Sequence, residues 1–169
     1  MVKFTSKQKH TEIILVKEML NKKDGNLEVN MVVTNDKNIR KKCSFYVSDF
    51  HLEMIILPYI TEKMEENKDI KIITQSNLEE SMKTLLSKTN IKNKNDILKI
   101  DWDNSSIDEI NDNAVIIING TEEFIKQKNE EIRDSNKKVE IVNCFKFEEI
   151  KDRIKEIADE YEEVINNLK

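Results

Sequence analysis

A chain of 169 residues, 38% of them hydrophobic, can bury a core without help, so its two cysteines need not staple it and no metal is required for folding. The formal charge of -5 is unevenly spread: residues 1–42 carry ten Lys or Arg against five acids, and the remainder carries 18 against 28. No apolar run approaches the length of a bilayer span and no apolar signal core follows the lysine-rich start, so the expectation is a soluble, cytoplasmic protein; its bias to Lys, Asn and Ile suggests a bacterial type.

At the N-terminus, Thr5 and Gln8 have capping-box spacing, and Ile13, Ile14, Val16 and Leu20 form the apolar side of a helix ending near Gly25. Leu27, Val29, Met31 and Val33 alternate with polar residues as a half-buried strand does. Residues 35–42 then connect that strand to an apolar run at 43–47, and the pair is expected as an antiparallel edge hairpin. The lysines of this segment are scattered, without interleaved aromatics or an arginine cluster. They read as lying against the chain's own domain, and nucleic-acid contact is the weaker reading.

Further β-branched runs occupy residues 70–74, 97–101, 114–119 and 139–143. Four of the intervals between and after the runs carry apolar residues at helical spacing, which predicts βαβ units. The fold expected is a single three-layer α/β domain over residues 1–169 with a mainly parallel sheet, RecA-like or Rossmann-like. Residues 1–42 would form a basic helix and edge strand, and 43–169 the βα core. Cys43 and Cys144 fall in predicted strands and read as buried thiols.

Asp49 is the predicted N-cap of a helix whose buried face is Leu52, Ile55, Ile56, Tyr59, Ile60 and Met64; Pro58 inside it should kink or split it near Leu57. Leu78, Met82, Leu85 and Leu86 mark another helix. After Gly120, Thr121 caps a helix carrying Phe124, Ile125 and Ile132, with Glu122 and Glu123 in its first turn. Ile150, Ile154, Ile157, Tyr161, Val164 and Leu168 form a heptad seam on a final helix. It is expected to pack on its own sheet, with a homodimer seam as the second reading.

In an open parallel sheet, ligands bind outside the carboxyl ends of the strands. The polar residues expected there are Ser48, Asp49, Thr74, Asp101, Trp102, Asp103, Asn119 and Thr121, which are the candidate ligand-binding residues. Asp101 and Asp103 after a strand could hold Mg²⁺, and they resemble the acidic pair of haloacid-dehalogenase-type phosphatases. That pair normally follows the first core strand, however, and no downstream lysine and acidic motif completes it; an Asx turn is the simpler reading. Gly25 and Gly120 are the sole glycines, so no G-x-x-x-x-G-K-[ST] loop can exist, and Asn119 stands where a P-loop protein's second motif has an aspartate. His10 and His51 have no metal-ligand spacing, and Trp102, although able to stack on a ring, reads as core.

The run Cys43-Ser44-Phe45-Tyr46 followed by Asp49, Leu57-Pro58-Tyr59-Ile60, a strand ending at Thr74 and a helix with Leu85-Leu86 resembles the start of the MEDS sensory domains. The resemblance covers roughly residues 43–101. It implies a relative of the RecA and KaiC ATPase core without an intact phosphate loop, in a sensory or regulatory role, and it assigns no ligand residue. The histidine that often precedes such a strand is replaced by Lys42. The functional expectation is a non-catalytic regulatory or interaction domain, binding a protein partner or a small ligand with no cofactor. The alternatives are a Mg²⁺-dependent phosphoryl-transfer or nucleotide-binding enzyme using Asp49, Asp101 and Asp103, and nucleic-acid binding through the basic N-terminal segment.

Overall fold

The computed structural model of the chain describes residues 38–166. The expected N-terminal helix, the strand at 27–33 with its edge hairpin, His10 and Leu168 lie outside those residues.

The described chain runs β1 (Ile39–Tyr46), α1 (Asp49–Glu65), β2 (Ile70–Thr74), α2 (Glu79–Ser87), α3 (Lys94–Leu98), β3 (Val115–Gly120), α4 (Glu122–Asp134), β4 (Val139–Lys146), α5 (Phe147–Ile150), a 3₁₀ turn (Lys151–Arg153), α6 (Ile154–Ala158) and β5 (Glu163–Val164). The five strands form one sheet in the order β2-β3-β4-β1-β5, and every pair is parallel. Strands buried on both faces read as unbroken apolar runs, which is why Val115 to Ile118 shows no polar alternation. One face packs Ile72, Val115, Ile117 and Val142 under α1, α2 and α3. The other packs Ile73, Ile116, Ile118 and Ile141 under α4, α5 and α6. This is the three-layer α/β arrangement that the alternation of runs predicts.

Three local expectations change. The run at 97–101 is not a strand: Ile97 ends inside α3 as a fully buried residue, and Ile97 and Ile100 follow helical rather than alternating spacing. The predicted last helix is broken into α5, the 3₁₀ turn and α6, and the chain then turns into β5, so Ile150 and Ile157 pack on the sheet while Val164 lies in a strand. Among the described residues no continuous helical seam runs on from Ile150. Finally, α1 runs 17 residues through Pro58 without splitting. Pro58 and Met54, whose carbonyl loses its helical donor to the proline, both stand on the exposed side, where water can serve that carbonyl.

The order differs from the 3-2-1-4-5-6 of a dinucleotide-binding sheet, yet the same rule locates its crevice. The chain leaves β1 toward β2 on one side and leaves adjacent β4 toward β5 on the other. The topological switch point therefore lies between the carboxyl ends of β1 and β4.

Candidate functional site

Strand register builds one row of side chains across the sheet next to that switch point. Thr74 pairs with Asn119, Asn119 with Cys144, and Cys144 with Ser44, and all four are buried. Side chains alternate along a strand, so the row shares the face that packs against α1.

The four members are served unequally. Thr74 closes on itself, its Oγ1 donating to the Ser76 carbonyl at 2.8 Å and accepting from the Ser76 N–H at 3.0 Å. Burial raises the Cys144 thiol far above its ordinary range and pushes the Cys43 thiol up to about 12, which leaves both protonated and unreactive. Ser44 Oγ and Asn119 Nδ2 are buried with no hydrogen-bond partner. They sit on either side of β4, two strand spacings or about 10 Å apart.

Tyr46 follows Ser44 on the same face and is itself buried. Burial raises its hydroxyl pKa; the neighbouring Asn119 side chain opposes the rise although its Nδ2 makes no hydrogen bond, while the charges of Asp49 and Glu149 add to it. One turn into α1, Glu53 is fully buried, with Oε2 accepting from the Ser81 hydroxyl and Oε1 unpartnered. Its pKa is raised by burial, against the Ser81 hydrogen bond and with a further push from Asp49.

The start of α1 occupies the place where a phosphate loop would lie, and it is closed by its own side chains. Ser48, not Asp49, is the N-cap: its Oγ accepts from the His51 N–H at 3.1 Å, and His51 Nδ1 accepts from the Val47 N–H at 3.0 Å. Asp49 then places a carboxylate in the first turn, which favours the helix dipole and disfavours an anion.

At the next strand end, Gln75 reaches across so that its Oε1 accepts from the Thr121 N–H at 2.6 Å, and Thr121 Oγ1 caps α4 by accepting from the Phe124 N–H at 3.2 Å. Gly120 is required between them, since a Cβ there would run into the Gln75 amide and lie 2.7 Å from the Phe124 ring. Arg153 pairs with Glu122 through both guanidinium nitrogens, holding that carboxyl below the usual range.

The remaining candidates stand apart. Asp101 Oδ1 accepts from the Asp103 N–H at 3.1 Å in an Asx turn, and both residues are exposed. Trp102 is buried, its indole N–H donating to the Ile97 carbonyl at 2.9 Å. Asn104 backs the carboxyl end of β2, donating to the Ile72 carbonyl at 3.1 Å while its own carbonyl accepts from the Thr74 N–H at 2.7 Å. This turn therefore lines the β2 edge, three strand spacings or about 14 Å from β1 and Asp49. Among the described residues no three His, Cys, Asp or Glu side chains gather as a metal site, and no helix is long and apolar enough to cross a membrane.

Of the residues read from the sequence, Ser48, Asp49, Asn119 and Thr121 thus lie along the central carboxyl edge, and Thr74 and Asp101 to Asp103 lie at its margin by β2. Ser44, Tyr46, Glu53 and Gln75 were missed. A serine inside an apolar strand and a lone acid between Leu52 and Met54 are the signals that mark two of them. No protein-family model, no curated protein and no solved structure matches this chain.

Proposed function

We propose that this chain is a non-catalytic regulatory domain that binds a small polar ligand in the crevice between the carboxyl ends of β1 and β4. The observation that carries the reading is the pair of buried, unpartnered groups, Ser44 Oγ and Asn119 Nδ2, flanking Cys144 on one row. Each such group costs about 1–3 kcal/mol while it goes unsatisfied. A ligand with a hydrogen-bond acceptor for Asn119 and a polar group for Ser44 recovers both. The carboxylates of Asp49 and Glu149 near Tyr46, with Glu53 near Asp49, favour a neutral or cationic ligand over a phosphate. Catalysis has less support: both thiols are protonated, Ser44 has no base hydrogen-bonded to it, and His51 is engaged by the Val47 amide. The sensory role implied by the resemblance to MEDS domains agrees with a site that binds without reacting.

The test is a thermal-shift panel of nucleosides, amino acids and polyols beside their phosphorylated counterparts, on the wild type, Ser44→Ala and Asn119→Leu. The expected result is a rise in melting temperature with an unphosphorylated compound that both variants lose. A rise confined to phosphorylated compounds, a rise both variants keep, or no rise with any compound contradicts the reading.

A further inference from the structure

The helix α1 is apolar on two sides. Leu52, Ile56 and Ile60 are buried against the sheet, while Phe50 is 61% and Met54 38% exposed on the outer side. That outer side forms one wall of a groove of about 470 Å³, floored by Met54, Leu57, Leu85 and Ile91, with Glu62 and Glu65 on its rim. An exposed apolar groove of this kind marks a surface that something covers.

We infer that this groove is the seat of the chain's own N-terminal segment, with Ile13, Val16 and Leu20 as the inserted side chains. Four observations select this occupant. The described chain begins at Asn38, which shares a cavity with Lys63 in the last turn of α1 and with Glu66, its C-cap, so Asn38 lies near the end of α1 that carries Glu62 and Glu65. Residues 1–23 carry six lysines against two glutamates, a net of +4, and the rest of the chain carries 22 basic against 31 acidic residues, a net of -9. Ile13, Val16 and Leu20 stand at i, i+3 and i+7, the spacing with which an amphipathic helix fills an apolar groove. Residues 25–37 can extend about 40 Å, whereas α1 with its 17 residues spans about 26 Å. That length is sufficient for the segment to span the groove.

Paramagnetic relaxation tests the assignment on the full chain. Thr61→Cys places a spin label in the groove; Cys43 and Cys144 are buried and protonated and do not take the label. The expected result is loss of the amide signals of residues 13–20 in the ¹⁵N-labelled, spin-labelled protein. Those signals return when Val16→Asp is added or when Glu62→Lys and Glu65→Lys reverse the rim, while the signals of the sheet stay in place. Retention of the residue 13–20 signals in the labelled protein overturns the inference. So does signal loss that appears in a mixture of ¹⁵N-labelled unmodified protein with unlabelled spin-bearing protein, because the occupant is then a second copy.

Discussion

Beneath the last turns of α1, at the amino end of the sheet, Glu140 accepts from the Tyr59 hydroxyl and pairs with Lys42 at 3.3 Å and Lys63 at 3.5 Å. Both ammonium groups lie 5.3 Å from the centre of the Tyr59 ring, and each reaches a second carboxylate, Glu163 for Lys42 and Glu66 for Lys63. Under the first turns of the same helix, on the same sheet face, Ser44 Oγ, Asn119 Nδ2 and Glu53 Oε1 are buried as deeply and have no partner. The amino end spends its polar groups on one another, tying α1 to β1, β4 and β5. The carboxyl end leaves its polar groups open at the switch point. Proteins satisfy nearly all buried polar atoms, so the unsatisfied groups at the carboxyl end call for an explanation that the amino end does not need, and the proposed ligand supplies one.

The largest test of this contrast is at the amino end. Glu140→Ala removes the carboxylate that Lys42 and Lys63 share, in a setting where their side chains are 10% and 12% exposed, and leaves each only its more exposed partner, Glu163 or Glu66; removing one partner of a buried network costs about 3–5 kcal/mol. Urea unfolding should show a loss of that order; a loss below about 1 kcal/mol would make the network ornamental and remove the contrast.

Next in size is Gly120→Ala, where the new methyl group must displace the Gln75 amide and the Phe124 ring. Crowding of this kind costs about 1–3 kcal/mol, and the double variant with Gln75→Ala should recover part of the loss. Equal losses in the single and double variants would place the strain elsewhere.

Glu53→Gln should have a smaller, pH-dependent effect. Burial raises the folded pKa of Glu53 above its ordinary 4.5. The native state thus holds that proton more tightly than the unfolded chain, and the stability this gives is present below 4.5 and lost as pH rises through the folded value. The glutamine variant should melt higher than the wild type at pH 7–8, with the difference closing as pH falls toward 4. A gain that stays constant with pH would mean that ionisation of Glu53 is not the cause.

The run at 114–119 was legible because both faces of its strand are buried and no polar residue interrupts it before Asn119; the run at 70–74 kept Ile70, Ile72 and Ile73 as its signal, with Lys71 reaching out to the Glu109 carbonyl. The run at 97–101 misled because a short apolar stretch fits a strand and a buried helical turn equally well by periodicity. The seam from Ile150 misled differently. Its apolar spacing is real, but Arg153 turns to Glu122 and the Tyr161 hydroxyl accepts from Asn143 Nδ2 at 2.8 Å, and these long-range contacts accompany the break in the helix. Asn119 and its neighbours at the carboxyl edge followed from the rule for parallel sheets. The row that joins Asn119 to Ser44 depends on the register of β1, β4 and β3, which no local pattern encodes.

The most direct measurement is equilibrium urea unfolding of the dialysed Ser44→Ala/Asn119→Leu double variant against the wild type. If these groups are held open for a ligand, replacing them with apolar ones removes an unmet hydrogen-bonding demand, and the variant should equal the wild type or exceed it by about 1–2 kcal/mol. A loss of more than about 1 kcal/mol would show that Ser44 and Asn119 serve the fold as Glu140 does, and it would contradict the assignment of the carboxyl end as the binding end.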